Sequence, residues 1–373
     1  MRPAAREPAP AAKLDHEALG YAIAGIERGA AGRDEHGQFP REPFELLAGA
    51  GALSLPAPEP VTATGRRSSF EEEWSVLRAV SRADGSVGRI YDGHLNAVER
   101  VSAAAPEPLR SRELGAIASG GLLLGVWGGD PVPGEGEPAR LVESGDGLTL
   151  EGVKTFCSGS GGLDRALVLA RDPGGQLGPP RLLYADLTEE GSYEIDRGWY
   201  RGAGMRSSES HRVVFHGTPV LAVLGGPGEI SREPYFGRDA VRTAVSWAGI
   251  ADRAVESALR TLAEKSGGAP DDVVSLAAGR MLAAQSTVDR WIGHAARLAD
   301  GDPEAPFAEL SIRLRSAVAD ACREVLDEAA RACGSRPFAI ADPLDRARRD
   351  LEIFLLQHRL EPALTRAGRE AIE

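Results

Sequence analysis

Between Gly152 and Arg171 the chain reads G-V-K-T-F-C-S-G-S-G-G-L-D-R-A-L-V-L-A-R, and G-V-W-G-G-D-P precedes it at Gly125 to Pro131. A turn glycine, a short β-prone run, a Gly/Ser loop and a second apolar run from Ala166 to Ala170 constrain the fold more than any other stretch. They bring bare backbone close to a flat surface with few side chains between. The pattern reads as one wall of a ligand site.

Helical patterning lies on both sides of this wall. From Leu14 to about Ser119 helices are predicted at His16 to Arg28, Glu42 to Ala50 and Phe70 to Ala83, the last with Trp74, Leu77 and Val80 on one face. Asp84-Gly85-Ser86 breaks that helix, and another starts near Val87 and carries Tyr91, His94, Leu95 and Val98. From about Gly121 to Leu224 the runs become short and β-prone, at Leu148 to Val153, Ala166 to Ala170, Leu182 to Leu187 and Arg212 to Phe215. Gly and Pro clusters divide them, which suggests a small β-barrel or sandwich. After Gly225-Gly226-Pro227 helical periodicity returns. Val274, Ala278, Met281, Gln285, Val288, Ile292 and Ala295 form one seam and Leu314, Val318, Ala321, Val325 and Ala329 another, with stops at Gly267 to Pro270 and Asp300 to Pro303. The expected architecture is α+β and multidomain: a disordered tail over 1–13, a helical domain over 14–120, a central β-barrel or sandwich domain over 121–225 and a helical bundle over 226–373.

With 373 residues the chain can bury a substantial core, and its 42% hydrophobic and 26% charged content is that of an ordinary soluble protein. A net charge of −12 argues against nucleic-acid partners, whose affinity comes from clustered Lys and Arg. Cys157, Cys322 and Cys333 have no ligand or disulfide spacing, and the histidines lack a metal-binding pattern, so no metal is expected. No apolar run is long enough to span a membrane and the opening residues lack an apolar signal core. A cytoplasmic address without membrane insertion follows as the expectation.

The wall segments resemble the central β-domain of the acyl-CoA dehydrogenase superfamily of flavoproteins. Gly129-Asp130-Pro131 matches a T-E-P-like loop, and Gly152, Lys154, Phe156, Cys157 and Ser158 match a G-x-K-x-[FW]-[ICV]-[ST] strand. Gly204-Met205-Arg206-Ser207-Ser208 with the strand after it, and Pro343-Leu344, Arg346 and Arg349-Asp350, match two later motifs in the same order. The resemblance implies an N-terminal helical domain, a β-domain and a C-terminal bundle that forms a homodimer or homotetramer. It implies FAD as cofactor, with FMN possible, and a small-molecule substrate, an acyl thioester, oxidised by hydride transfer to the flavin.

The same resemblance assigns Ser158 to a hydroxyl contact with the flavin, Phe156 to an aromatic wall, and Trp127, Gly128 and Gly129 to the opposite edge, with Cys157 inside the motif. Gly129 stands where the family has a threonine, which keeps a backbone donor and loses a hydroxyl. Arg280 and Arg336 are the candidates for a diphosphate.

A dehydrogenase needs a carboxylate base. The late glutamate of the family is replaced by His358, and the alternative position aligns with Val241. His358 or Asp239 is left as the base. Flavin monooxygenases on the same scaffold share F-C-S-G at Phe156 to Gly159 and a histidine after the R-D pair, and carry a histidine in the second helical region, where this chain has His94. They form the alternative activity. A flavin-binding accessory subunit without a catalytic base is a third reading.

Overall fold

The computed structural model describes residues 13–58, 68–145, 147–172, 178–357 and 359–373. The predicted tail up to residue 12 and His358 lie outside the described residues. The helices come first: α1 (His16–His36), α2 (Arg41–Gly49), α3 (Phe70–Ala83), α4 (Gly85–Ala104) and α5 (Leu109–Ala118). Asp15 caps α1 by accepting from the N–H groups of Glu17 and Ala18, and Ser69 caps α3 by accepting from Glu72. The first helix runs beyond the expected end at Arg28, because Ala22, Ile26 and Ala30 continue one buried stripe and the stop comes only at left-handed Gly37. Asp84 both ends α3 and caps α4, accepting from Ser86 and Val87 while Arg33 Nε lies 2.8 Å from its Oδ2. The fourth helix therefore starts at Gly85, not Val87, and it is buried over most of its length against α3 and the layers that follow.

The strands are β1 (Leu124–Trp127), β2 (Arg140–Ser144), β3 (Gly147–Cys157), β4 (Arg165–Ala170), β5 (Arg181–Asp186), β6 (Tyr193–Asp196) and β7 (His211–Leu224). They form one sheet in the order β1-β4-β5-β7-β3-β2, with β6 on β7. Among the described strand pairs, β1 with β4 is parallel and the rest are antiparallel. Isolated bridges between Gly129 and Thr155 and between Arg140 and Arg171 tie distant strands of that order together, so the sheet curls toward a barrel. The predicted strand over Arg212 to Phe215 continues through Gly217 to Leu224. It pairs with β6 up to Phe215, with β3 as far as Pro219 and with β5 from Val220, and Gly217 takes φ 85° at a bulge within the β3 pairing.

The last layer holds α6 (Tyr235–Ser266), α7 (Asp272–Gly301), α8 (Ala308–Cys333), α9 (Arg336–Ala339), α10 (Pro343–Leu355) and α11 (Glu361–Ile372). The seam on α8 is buried throughout, and on α7 Met281, Val288, Ile292 and Ala295 are buried while Val274, Ala278 and Gln285 are half-buried toward its edge. A Cβ at Gly249 would lie 2.3 Å from the carbonyl oxygen of Arg78, so glycine lets α6 cross directly over α3. Buried ion pairs fasten α6 to both α3 and α4: Arg242 Nε lies 2.6 Å from Glu73 Oε1 and Arg242 Nη1 lies 2.7 Å from Glu99 Oε2. The fold is α+β, with helices, a central sheet and a helical bundle in chain order. Among the described residues no helix is long and apolar enough to cross a membrane.

Candidate active site

The two wall loops meet as the sequence pattern requires. Antiparallel pairing of β3 with β7 slips between Lys154 and Cys157, and at the slip Phe156 takes a left-handed backbone, φ 53°. That conformation is costly for a bulky residue and turns the ring outward. Phe156 is 56% exposed and stands edge-on to Trp199, with ring centres 4.9 Å apart. Its neighbour Cys157 points the other way and is fully buried, and burial pushes its thiol well above the ordinary range.

Lys154 fastens one loop to the other. Its buried Nζ lies 2.7 Å from Asp130 Oδ1 and 3.3 Å from the Gly128 carbonyl oxygen, and Thr155 Oγ1 donates to the Asp130 carbonyl at 3.1 Å. Burial lowers the Lys154 ammonium, and Asp130 opposes that shift. Gly129 lies so close to β3 that a Cβ there would sit 2.5 Å from the Thr155 carbonyl oxygen. The threonine of the related pattern has no space at this position.

Beyond the bulge, Ser158 Oγ lies 2.8 Å from Ser210 Oγ, Ser210 lies 2.7 Å from Ser208 Oγ, and Ser208 donates to the Met205 carbonyl at 2.7 Å. The sequence reading missed Ser210 and the continuity of this hydroxyl chain. Only the S-S-E-S run after Met205 could have signalled it. Gly159 N–H donates to the Ser208 carbonyl at 2.7 Å and holds the two segments together. The same turn rests on α4: a Cβ at Gly159 would be 3.3 Å from Ile90 Cγ2, and one at Gly93 would be 3.9 Å from the Val126 nitrogen.

Several expected site residues take other positions. The Trp127 ring is fully buried and its indole N–H donates to the Ser158 carbonyl at 3.0 Å, so it supports the wall from beneath and does not form an edge. Cys157 is likewise under the wall. His94 is fully buried with both ring nitrogens engaged: Nδ1 accepts from the Leu124 N–H at 3.1 Å, which leaves Nε2 to donate to the Leu53 carbonyl at 2.8 Å. Burial pushes it down to about 4, and the ring has no free nitrogen to offer a substrate. Arg280 belongs to α7 with Nη1 3.2 Å from Glu328, Arg336 is exposed at the start of α9, and neither hydrogen-bonds to the wall loops.

Asp239 faces α4, where Arg100 Nη2 lies 2.7 Å and Arg100 Nε 3.2 Å from its Oδ2, with Arg242 Nη1 3.5 Å from Oδ1. A groove of about 1070 Å³ opens beside the wall loops, lined by Gly161, Glu209, His211, Tyr200 and Arg349 among others. Trp127, Phe156 and Ser158 do not line it.

These residues fit a flat aromatic cofactor at one face. An outward ring held in a strained backbone, a half-buried hydroxyl and side-chain-free glycines offer a stacking surface, a polar contact and close backbone approach.

Residues 13–121 match the family model of the acyl-CoA dehydrogenase N-terminal domain. Among curated proteins no sequence match is found. Solved structures superimpose on nearly the whole chain. FMN-bound TdsC from Paenibacillus sp. A11-2, a dibenzothiophene monooxygenase, is 21% identical, with 95% of this chain and 96% of that chain covered and a TM-score of 0.82. A nitrososynthase from Micromonospora carbonacea var. africana is 22% identical over 95% of each chain, with a TM-score of 0.80. Methanesulfinate monooxygenase MsuC from Pseudomonas fluorescens is 20% identical, with 95% and 96% covered and a TM-score of 0.78. The chain thus has the acyl-CoA dehydrogenase-like fold along nearly its whole length, and its first helical part is similar to the N-terminal domain of that family.

Proposed function

We propose that this chain is a flavin-dependent monooxygenase that uses FMN, in preference to the acyl-thioester dehydrogenase favoured by sequence motifs. The position of Asp239 carries the choice. Burial pushes its carboxyl up to about 6 against the pull of Arg100 and Arg242, and those two guanidiniums hold it in place. A carboxylate so clamped is a structural counter-ion, and Val241 at the other candidate position is apolar and fully buried. Dehydrogenation requires a mobile base beside the substrate; oxygen insertion requires hydroxyl and imidazole groups that hold and move a proton.

In this reading Phe156, Gly128, Gly129 and Ser158 hold the ring, while Lys154 and Trp127 fix the loops that present them. A flavin held there in its reduced form would supply the two electrons by which one atom of O2 enters the substrate and the other leaves as water. Ser158 offers its lone pairs to a donor, because its own proton is directed to Ser210. His358 is the titratable group assigned to proton transfer, since an imidazole changes charge near neutral pH. FMN is preferred to FAD because TdsC binds FMN and because Arg280 is paired with Glu328 within the bundle. A homodimer or homotetramer built through the bundle is the expected assembly.

The test uses the purified full chain. Octanoyl-CoA added without air is expected to leave the spectrum of bound oxidised FMN unchanged, and the protein is expected to delay hydrogen peroxide release from reduced FMN in air relative to free flavin. Bleaching by the thioester would restore the dehydrogenase reading.

A further inference from the structure

Three N–H donors are buried without a partner at one place in the helical layer: Trp247 Nε1 on α6 and Arg315 Nε and Nη2 on α8. They belong to one contact, with the Arg315 guanidinium carbon 5.4 Å from the centre of the Trp247 ring. The arginine is half-buried as a whole, so part of its side chain is accessible while these three donors are not. Buried donors without acceptors are rare in folded proteins, because each forfeits its hydration without compensation. Three together, all donors, call for a group rich in acceptors.

The surroundings share this polarity. Trp247 meets Phe354 of α10 edge-on with centres 6.1 Å apart, and the Arg89 guanidinium of α4 stands 5.6 Å from the Phe354 ring centre. The carboxylate facing this ring of residues is Asp92, which already receives Asn96 Nδ2 at 3.0 Å, Arg89 Nη1 at 3.3 Å and Thr243 Oγ1 at 3.4 Å. Two guanidiniums against one carboxylate leave one positive charge over. Burial pushes Arg315 down to about 10 against the pull of Asp92, as for a cation short of a counter-ion. The Arg89 to Gly93 turn of α4 also carries Ile90 under Gly159 and Gly93 beside Val126, so the donors lie across a single helix from the proposed flavin wall.

We propose that Arg315 and Trp247, with Arg89 completing the charge, receive an oxyanion group of the substrate, so that the molecule oxidised at the wall is a small organic anion such as a carboxylate or sulfonate. A guanidinium suits this task because its planar donors match two oxygens at once, and the indole N–H adds a third contact. The inference rests on the monooxygenase reading for its account of what happens to the anion, but not for the binding itself.

The experiment is calorimetric titration of the full chain with benzoate and methanesulfonate, and with benzamide and dimethyl sulfone as neutral counterparts, with FMN affinity measured in parallel by fluorescence quenching. An anion is expected to bind at least about tenfold more tightly than its neutral counterpart. Arg315→Gln is expected to abolish that preference, and Arg315→Lys, a second variant that retains the charge and a fold comparable to wild type, is expected to weaken it; neither should alter FMN affinity. Equal binding of anion and neutral probe, no binding of either anion, or unchanged anion affinity in both variants would overturn the proposal. Anion binding in a protein that takes up no FMN would leave this site standing and remove the monooxygenase reading.

Discussion

The hydroxyl oxygens of Ser158 and Ser210 lie 2.8 Å apart, and the far end of their chain is fixed by Ser208 donating to the Met205 carbonyl. The protons therefore run in one direction, from Ser158 to Ser210 to Ser208, as donor and acceptor capacity dictates. Ser158 is left as an acceptor toward the ligand side. Ser158→Ala is expected to lower the turnover of a coupled monooxygenase assay by about a hundredfold, with a smaller effect on FMN affinity. Ser210→Ala frees the Ser158 proton and is expected to give an intermediate loss. Equal, full activity in both variants would detach the hydroxyl chain from the chemistry.

Gly129 provides a test in which restoring the related pattern should cause harm. A side chain at this position meets the Thr155 carbonyl at 2.5 Å, so Gly129→Thr must push β1 away from β3 and disturb the Lys154 staple. The variant is expected to bind FMN more weakly than wild type by tenfold or more, about 1.4 kcal/mol or above. Fluorescence quenching reads this directly.

Much of this arrangement could be read from the sequence, and the misses have physical causes. The end of α3 follows from Asp84, whose cap acts within a few residues, and the Gly129-Asp130-Pro131 and G-x-K-x-F-C-S matches marked the two segments that Lys154 fastens together. The strand predicted over Arg212 to Phe215 runs on to Leu224 because Gly217 only bulges within the β3 pairing and the chain then passes on to β5 from Val220. Trp127 and Cys157 were assigned to the ligand face because a motif records proximity in sequence but not which side of a bulge a residue takes. Arg315, Trp247 and Ser210 escaped notice because their meaning comes from partners far along the chain.

The ion pairs under the site predict a stability cost. Glu73 and Arg242 are both fully buried and 2.6 Å apart, so Glu73→Ala would leave the core guanidinium with Glu99 and, at 3.5 Å, Asp239 as its remaining counter-ions and its Nε without its carboxylate. A loss of about 3–5 kcal/mol is expected in chemical denaturation. Asp239→Asn should cost less, because that carboxylate is partly exposed, and should leave FMN affinity unchanged.

Two buried groups give the stability a pH dependence of opposite signs. His94, pushed down to about 4 by burial, stays neutral in the folded chain while the unfolded chain takes up a proton below about 6.5. Stability is therefore lost as pH falls from about 6.5 to about 4, by at most about 3 kcal/mol. Asp350, pushed up to about 7 by burial despite the Met205 N–H it accepts, holds its proton in the folded state, so its contribution declines as pH rises from about 4 to about 7. The two windows overlap, so these opposing contributions largely cancel in wild type, and urea midpoints measured from pH 4 to pH 8 are expected, relative to wild type, to fall with rising pH in His94→Gln and to rise with pH in Asp350→Asn.

The wall formed by the 125–131 and 156–160 loops is the foundation of the account, and a fluorescence titration of the full chain with FMN tests it most directly. Wild type is expected to quench FMN in a saturable way, and Phe156→Ala to weaken that binding by tenfold or more while keeping the unfolding midpoint, because the ring is exposed and contributes little to the core. Absence of saturable binding in wild type, or an unchanged affinity in Phe156→Ala, would contradict it.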